Sequence, residues 1–446
     1  MKLRNFLKLM AMALVMPMAL VACYDNDEPE IPTVQESVVL DTDEVDLLVG
    51  ESVALNATAI VNPSATSKVI NWSSSDSSVA TVDANGKVTA VAPGKAIITA
   101  SLGDGRPSAT CEIEVDAEDY LLVFNSGNMA YSIDGSLSMV KFEKSQTVVY
   151  DIFSDVNKRS LGATVQDGII FGENLYIAVD GSNIIEVVNK NTFKSVATIL
   201  PDETAYEPRD IVADDNYVYV SMYTGHVSRI DPKTNKIDKT VVVGPNPEEM
   251  VIEDGYLYVV NSDGMNYGAN YENGKTVSKI NLKSFTEEKK IEVGLNPTAI
   301  LEAEDNIFVL CMGNYGWDPT YEFVPTSIYK IDKDDNVTNT NIPASFFTEE
   351  DGILYVVDAP YMGVPSYTSY KASDLSVVSQ NFIKTPVDSP AGIAVDEDRI
   401  FVSSYNLTDG YASYGTDGYV NEYKLDGTLV KKYNVGVGPV HMLVVD

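Results

Sequence analysis

Histidine, tryptophan, cysteine and basic charge are all scarce in this sequence. Among 446 residues there are 2 histidines, His226 and His441, and 3 cysteines, Cys23, Cys111 and Cys311. None has the spacing of a zinc site, so a His-based metal or catalytic centre has little raw material. No phosphate loop, flavin fingerprint or Ser-His-Asp order is present either. Against 31 Lys and Arg stand 65 Asp and Glu, a formal net charge of −34. That balance argues against nucleic acid or anionic lipid as a partner. It suits a surface protein, or capture of neutral or cationic ligands. The one early apolar run, Met10 to Val21, is too short for a stable membrane span.

What is present starts at that run. Lys2, Arg4 and Lys8 precede it, and Leu20-Val21-Ala22-Cys23 follows. Residues 1–22 therefore read as an export signal. The four residues match the bacterial lipobox, which implies that Cys23 is lipidated and anchors the chain through its acyl chains. A plain secretory signal with an incidental Cys is the alternative. Residues 23–36 read as an acidic linker, and Tyr24-Asp-Asn-Asp-Glu-Pro-Glu30 resembles the surface-export signal of Bacteroidetes lipoproteins. That resemblance implies outer-membrane anchoring with display at the cell surface; a solvated acidic tether is the bland reading. Removing the signal takes the formal charge from −34 to about −37. Cys111 and Cys311 sit in apolar strand patterns of different domains and read as buried free thiols.

Residues 37–117 alternate in short runs: Val38-Val-Leu, Val53-Ala-Leu, Val69-Ile-Asn-Trp, Val79-Ala-Thr-Val, Lys87-Val-Thr-Ala, Ala96-Ile-Ile-Thr and Cys111-Glu-Ile-Glu-Val. Close turn signals between them predict a β-sandwich, with Asn85-Gly86 as a tight hairpin. Asn71-Trp72-Ser-Ser-Ser-Asp76-Ser-Ser-Val79-Ala-Thr-Val82, followed by Asn85-Gly86-Lys-Val88 and Pro93-Gly94-Lys-Ala96, resembles the bacterial Ig-like group 2 family. The resemblance implies a spacer, or less often an adhesive module, with Trp72 as a core anchor.

Residues 120–446 carry a proline-led repeat. Pro208, Pro247, Pro297, Pro343, Pro390 and Pro439 mark its starts. Each of the first five leads to an acidic or Gly/Asn turn such as Glu253-Asp-Gly, and then to an aromatic-aliphatic strand such as Tyr256-Leu-Tyr-Val. A unit beginning near Val165 lacks the Pro. Four short strands per repeat predict a β-propeller. Six whole units leave two fragments, Tyr120 to Leu161 and Pro439 to Asp446, which together make a seventh blade closed by the C-terminal strand. The fold class is therefore all-β: an Ig-like sandwich followed by a seven-bladed propeller. The joints Val243-Gly-Pro-Asn-Pro247 and Val293-Gly-Leu-Asn-Pro297, the turn Ile230-Asp-Pro-Lys-Thr-Asn235 and the opening Asn125-Ser-Gly-Asn-Met-Ala-Tyr131 resemble the YncE-like, surface-layer type of propeller.

Propeller topology puts the loop between strands two and three, and the joint to the next blade, on one face. Those loops are long and rich in Tyr, Gly and Asn: Ser126 to Gly135, Asn261 to Lys275, Met312 to Pro325, Ala359 to Thr368 and Tyr405 to Gly418. Tyr and Trp give contact area with a polar tip at small entropy cost. The candidate ligand-binding residues are Tyr131, Tyr223, Tyr267, Tyr271, Tyr315, Trp317, Tyr361, Tyr367, Tyr405 and Tyr411; about half are expected to pack loop on loop instead. From the joints come Arg209, a cation able to read a phosphate or carboxylate or to pair with Glu207 or Asp210, and His441. Asp210, Glu248, Glu249, Thr298 and Asp388 add polar groups, but no acidic pattern is seen to repeat at the strand ends.

The expectation is a non-enzymatic, lipid-anchored binding propeller without a cofactor. Among surface propellers of the resembled type are proteins that capture corrinoids (vitamin B12 and relatives) for a TonB-dependent outer-membrane transporter, which implies a corrinoid ligand and that partner. A glycan-binding or adhesive surface protein is the alternative, and a metal-dependent propeller hydrolase the third.

Overall fold

The computed structural model describes residues 34–62, 69–103, 106–116, 119–142, 147–316, 318–360 and 363–445. Cys23, Trp317 and Tyr361 lie outside them. The chain divides between Asp119 and Tyr120 into two compact units.

The first unit is a β-sandwich. One sheet holds Glu44–Leu48, Ser108–Asp116, Gly94–Ser101 and Asn71–Ser74; another holds Ser52–Ala54, Lys87–Ala90 and Ala80–Val82. Alternation fills the core from both, with Val88, Ile98, Cys111 and Ile113 fully buried. Trp72 packs against this core, as its family motif implies. Gly86 turns the hairpin at φ +81°, and a Cβ there would lie 2.6 Å from the Trp72 ring and from the Leu55 carbonyl. Only glycine satisfies both constraints. Glu44–Leu48, which pairs parallel to Ser108–Asp116, is a strand the apolar runs do not announce.

The second unit is a seven-bladed propeller of four-stranded antiparallel sheets. Blade 1 combines Tyr120–Asn125, Ser136–Lys141 and Val148–Val149 with the C-terminal strand Pro439–Val445 as its innermost member. The innermost strands of blades 2 to 7 are Val165–Phe171, Pro208–Ala213, Pro247–Glu253, Pro297–Ala303, Phe346–Glu350 and Ser389–Asp396. Neighbouring innermost strands touch all the way round, and Pro439–Val445 touches those of both blade 7 and blade 2, so the ring is closed.

The repeat is legible in this geometry. Pro208, Pro247, Pro297 and Pro439 are the first residues of their strands, where no ladder donor is needed. Each is preceded by a left-handed residue, Glu207, Asn246, Asn296 and Gly438 at φ of 62°, 47°, 57° and 70°; Asn and Gly adopt that region readily. Asp254-Gly255, Glu304-Asp305 and Asp351-Gly352 have positive φ at both turn positions, the requirement of a two-residue hairpin that follows strand twist. The second strand of a blade is buried on both faces, as in Tyr256–Asn261, whereas the outermost strand Thr286–Glu292 is mostly exposed. One apolar cluster fills each of the seven interblade seams; Tyr176 and Val187 of blade 2, for example, pack with Ile211 and Val220 of blade 3. Cys111 and Cys311 are free and buried.

Candidate ligand-binding face

The face that carries the second loop of each blade is uneven. Blades 2 and 3 have short loops there, between Val179 and Ile184 and between Met222 and His226, while blades 1, 4, 5 and 7 have long ones. The long loops are internally bonded. Asp263, itself buried, accepts the Asn273 backbone N–H at 3.0 Å and the Asn266 amide at 2.9 Å. Asn314 is the hub of the blade 5 loop: its Nδ2 donates to Asn270 Oδ1 (2.9 Å) and the Glu322 carbonyl (2.7 Å), and its Oδ1 accepts Val324 N–H (3.0 Å). Loop 4 and loop 5 are thereby one body.

On that body Tyr271 and Tyr315 meet edge to face, with centroids 6.5 Å apart. Both have left-handed backbones, φ 52° and 54°, which bulky residues adopt rarely and at a cost. Tyr271 is buried and Tyr315 is 41% exposed. Burial, then the neighbouring Tyr271, raises the Tyr315 hydroxyl pKa, opposed by a hydrogen bond with Asn296; the Glu248 charge is also felt. Tyr315 therefore points toward the joint and not away from the ring.

Glu248 belongs to an ion triad spread over three blades. Arg209 of blade 3 donates from Nε (3.0 Å) and Nη2 (2.7 Å) to Glu248 Oε2 of blade 4, and from Nη1 (3.0 Å) to Asp180 Oδ2 of blade 2. Tyr223 lies against the guanidinium, 4.5 Å from Cζ to centroid. Ser262 donates to Glu248 Oε1 at 3.2 Å. The partners of Arg209 are thus Glu248 and Asp180 rather than Glu207 or Asp210.

The other candidates separate. Tyr131, Tyr267 and Tyr411 are well exposed on the rim. Tyr131 packs over Gly415, where a Cβ would sit 3.3 Å from its ring, so loops 1 and 7 touch. Tyr405 is edge-on to Tyr414 at 4.8 Å. Tyr367 is a correction: it lies in the strand Ser366–Lys371, not in a loop, and is 1% exposed. The alternation of that strand turns it inward onto Phe382, at 5.8 Å.

His441 lies in the channel, as its place at a joint implies, and three carboxylates accompany it. Asp167, Asp210 and Glu249 are each the third residue of their innermost strand. Each accepts a backbone N–H from the next blade: Ile211 to Asp167 Oδ2 (2.9 Å), Met250 to Asp210 Oδ2 (2.9 Å) and Ile300 to Glu249 Oε2 (3.1 Å). An acidic pattern therefore does repeat, over three consecutive blades, and its role is to tie the inner strands of blades 2 to 5. Placing Val165-Gln-Asp167 beneath Pro208-Arg-Asp210 and Pro247-Glu-Glu249 exposes it; the missing Pro of the first unit hid it. Asp180 was likewise missed.

Burial, above all, with Asp167 and Glu248 as neighbours, raises the Glu249 carboxyl to about 7, against the Ile300 hydrogen bond. A raised carboxyl favours the fold while protonated, so its contribution is complete below about pH 4.5 and lost as pH rises through about 7. The side chain is open to channel water, so the effect is discounted to roughly 1 kcal/mol. Glu249→Gln, which keeps an acceptor for Ile300, is expected to gain on wild type by about 2 °C in melting temperature across that window. Melting curves that stay parallel from acid to alkaline pH would contradict this.

A cleft of about 420 Å³ lies on the opposite face, lined by turn residues of blades 2 and 3 including Glu173, Asp215, Tyr217 and Lys233. It is a gap between solvated turns, without the aromatic pair or the bonded loops of the first face.

Fold and site define a two-domain all-β protein, a sandwich plus a propeller with an aromatic loop face. Residues 35–113 match the family of bacterial Ig-like domains (group 2), and residues 121–271 match a domain of unknown function (DUF5074). An uncharacterized protein of Clostridium acetobutylicum is 37% identical over 103 residues, 23% of this chain and 10% of that protein. A lacto-N-biosidase of Bifidobacterium bifidum is 45% identical over 62 residues, 14% of this chain and 6% of that enzyme. The chain thus spans only a small part of the curated relatives it matches. A crystal structure of a quinoprotein alcohol dehydrogenase-like protein from Bacteroides thetaiotaomicron aligns over 90% of this chain and 96% of its own, with TM-score 0.51 and 14% identity. At that identity the likeness concerns the fold alone.

Proposed function

We propose that the propeller is a non-enzymatic binding domain of a lipid-anchored, cell-surface protein, and that its ligand sits on the loop face at blades 3 to 5. The observation behind this is the Tyr271–Tyr315 pair, held in a costly backbone conformation by Asn314 and placed beside the Arg209–Glu248–Asp180 triad. An exposed ring beside a fixed array of donors and acceptors suits a broad ligand with an apolar face and polar edges. The short loops of blades 2 and 3 leave that place open from one side. A corrinoid, handed on to a TonB-dependent transporter, is the ligand and partner we put first, on the strength of the repeat's resemblance to the YncE-like type. A glycan is the second. Cys23 would anchor the chain, residues 23–36 would tether it, and the Ig-like domain would space the propeller from the membrane.

Calorimetric titration of the chain lacking residues 1–23 with cyanocobalamin tests the first reading. Heat with 1:1 stoichiometry is expected. Absence of heat and of any thermal shift would remove the corrinoid, and the same titration with oligosaccharides would then test the second reading.

A further inference from the structure

The closing strand Pro439–Val445 is held to the rest of the ring in two ways. Backbone pairing joins it to Tyr120–Asn125, with Phe124 opposite His441. Its side chains then reach across the channel seam: His441 Nε2 lies 2.9 Å from Asp167 Oδ1 on blade 2. The imidazole packs on the Phe124 ring, centroids 5.3 Å apart. This contact ties the closing strand, which is held in blade 1 by pairing alone, to the innermost strand of blade 2.

We propose that the His441–Asp167 pair is a proton-operated latch on the ring seam, in which the protonated imidazole ties the closing strand to blade 2 and loss of the proton releases that tie. The surroundings make this a matter of charge. Asp167 is nearly fully buried, and its second oxygen is already taken by Ile211 N–H. Asp210 hydrogen-bonds to Asp167 from blade 3, and a carboxyl can do so only by keeping its proton. Glu249 of blade 4 adds a negative field at His441 once it ionises, above about pH 7. From Tyr120–Asn125 the neighbour is the uncharged Phe124. On the other side, Ser389–Asp396 brings Gly392 against the Val440 carbonyl and holds its acid, Asp396, at its far end. With the imidazole neutral, a buried carboxylate is left without its counter-charge, which is costly.

The directions agree. The His441 side chain is 40% exposed to the channel, and what burial takes away is outweighed by the charge of Asp167 at 2.9 Å, so its pKa is raised. Burial likewise raises Asp167, and His441 outweighs it in the opposite sense. Burial and the charge of Asp167 hold Asp210 well above the carboxylate range. A raised histidine contributes stability that is complete below about pH 6.5 and lost as pH rises through its folded pKa. A lowered Asp167 contributes above about pH 3.8 and loses this as pH falls through its own folded pKa. The latch therefore holds between these limits and opens on the alkaline side.

With only two histidines in the chain, side-chain NMR of the full protein carrying ¹³C-labelled histidine follows His441 with little overlap. Its midpoint is expected above about 6.5, and Asp167→Asn is expected to move it down. In parallel, His441→Gln is expected to melt on the order of 3 °C below wild type near pH 6, a gap that closes by about pH 9. If Asp167→Asn does not fold, His441→Phe, which keeps the contact with Phe124, supplies the comparison: its deficit should also vanish at alkaline pH. A His441 midpoint at or below the ordinary value, or a deficit that stays constant with pH, would overturn the latch.

Discussion

Deleting residues 439–446 should unfold the propeller and leave the melting transition of the Ig-like domain in place. The strand supplies the innermost member of blade 1. It pairs along the whole of Tyr120–Asn125, from Tyr120 opposite Val445 to Asn125 opposite Pro439. Its side chains serve two seams: Leu443 and Val445 pack on the cluster between blades 1 and 2, Met442 and Val444 on that between blades 7 and 1. Met442 is buried and the other three are half-buried, so at up to about 1.5–3 kcal/mol for a fully buried side chain and about 1 kcal/mol for each net hydrogen bond, the loss is a large share of the roughly 5–15 kcal/mol that holds an ordinary domain. The deletion also opens an unpaired strand edge at Tyr120–Asn125, an invitation to aggregation. Circular dichroism melting of the truncated chain checks this. A propeller transition at an unchanged temperature would show that the ring does not depend on its seam.

The second large effect is expected at Arg209. Its guanidinium ties blades 2, 3 and 4 at the mouth, with side-chain exposures of 25% for Arg209, 17% for Asp180 and 14% for Glu248. Burial works against the charged form, and the two carboxylates outweigh it and raise the pKa further. Replacing the cation by Met leaves two carboxylates, half-shielded from water, without their counter-charge; Ser262 and Gln166 still donate to them but carry no charge. The expected cost is about 3 kcal/mol, or on the order of 6 °C. Neutralising one of the carboxylates too, in Arg209→Met with Glu248→Gln, should recover part of it, which a purely ligand-contacting arginine would not do. If Arg209→Met melts within about 0.5 kcal/mol of wild type, the triad is effectively solvated and Arg209 is free to meet a ligand directly.

The scaffold was readable because each of its devices is local. A Pro opens a strand, a left-handed residue precedes it, two positive-φ residues turn the hairpin, and an apolar run fills the buried second strand. The site was readable only in outline. Tyr315 could be placed on the right loop from repeat length, yet nothing near it announces Asn314 as the hub or Tyr271 as its packing partner across two blades. Arg209 could be read as a ligand-reading cation or as the partner of its chain neighbours Glu207 and Asp210, because its actual partners, Asp180 and Glu248, are 29 and 39 residues away in the chain. Tyr367 looked like a loop residue because the blade 6 loop ends earlier than its Gly, Pro and Tyr content suggests; the strand begins at Ser366. Glu44–Leu48 was hidden by the acids that break its apolar alternation. Such pairings depend on how blades and sheets meet, and a period of two or a turn signal says nothing about that.

The most direct test of the binding face compares the two ends of the propeller. Cyanocobalamin is titrated into wild type, into Tyr315→Ala on the loop face and into Lys233→Ala at the far-face cleft. The expected result is heat with wild type, an affinity about tenfold weaker for Tyr315→Ala, equivalent to about 1.4 kcal/mol, and no change for Lys233→Ala. Heat that survives Tyr315→Ala and falls with Lys233→Ala would place the ligand on the other face and contradict the account.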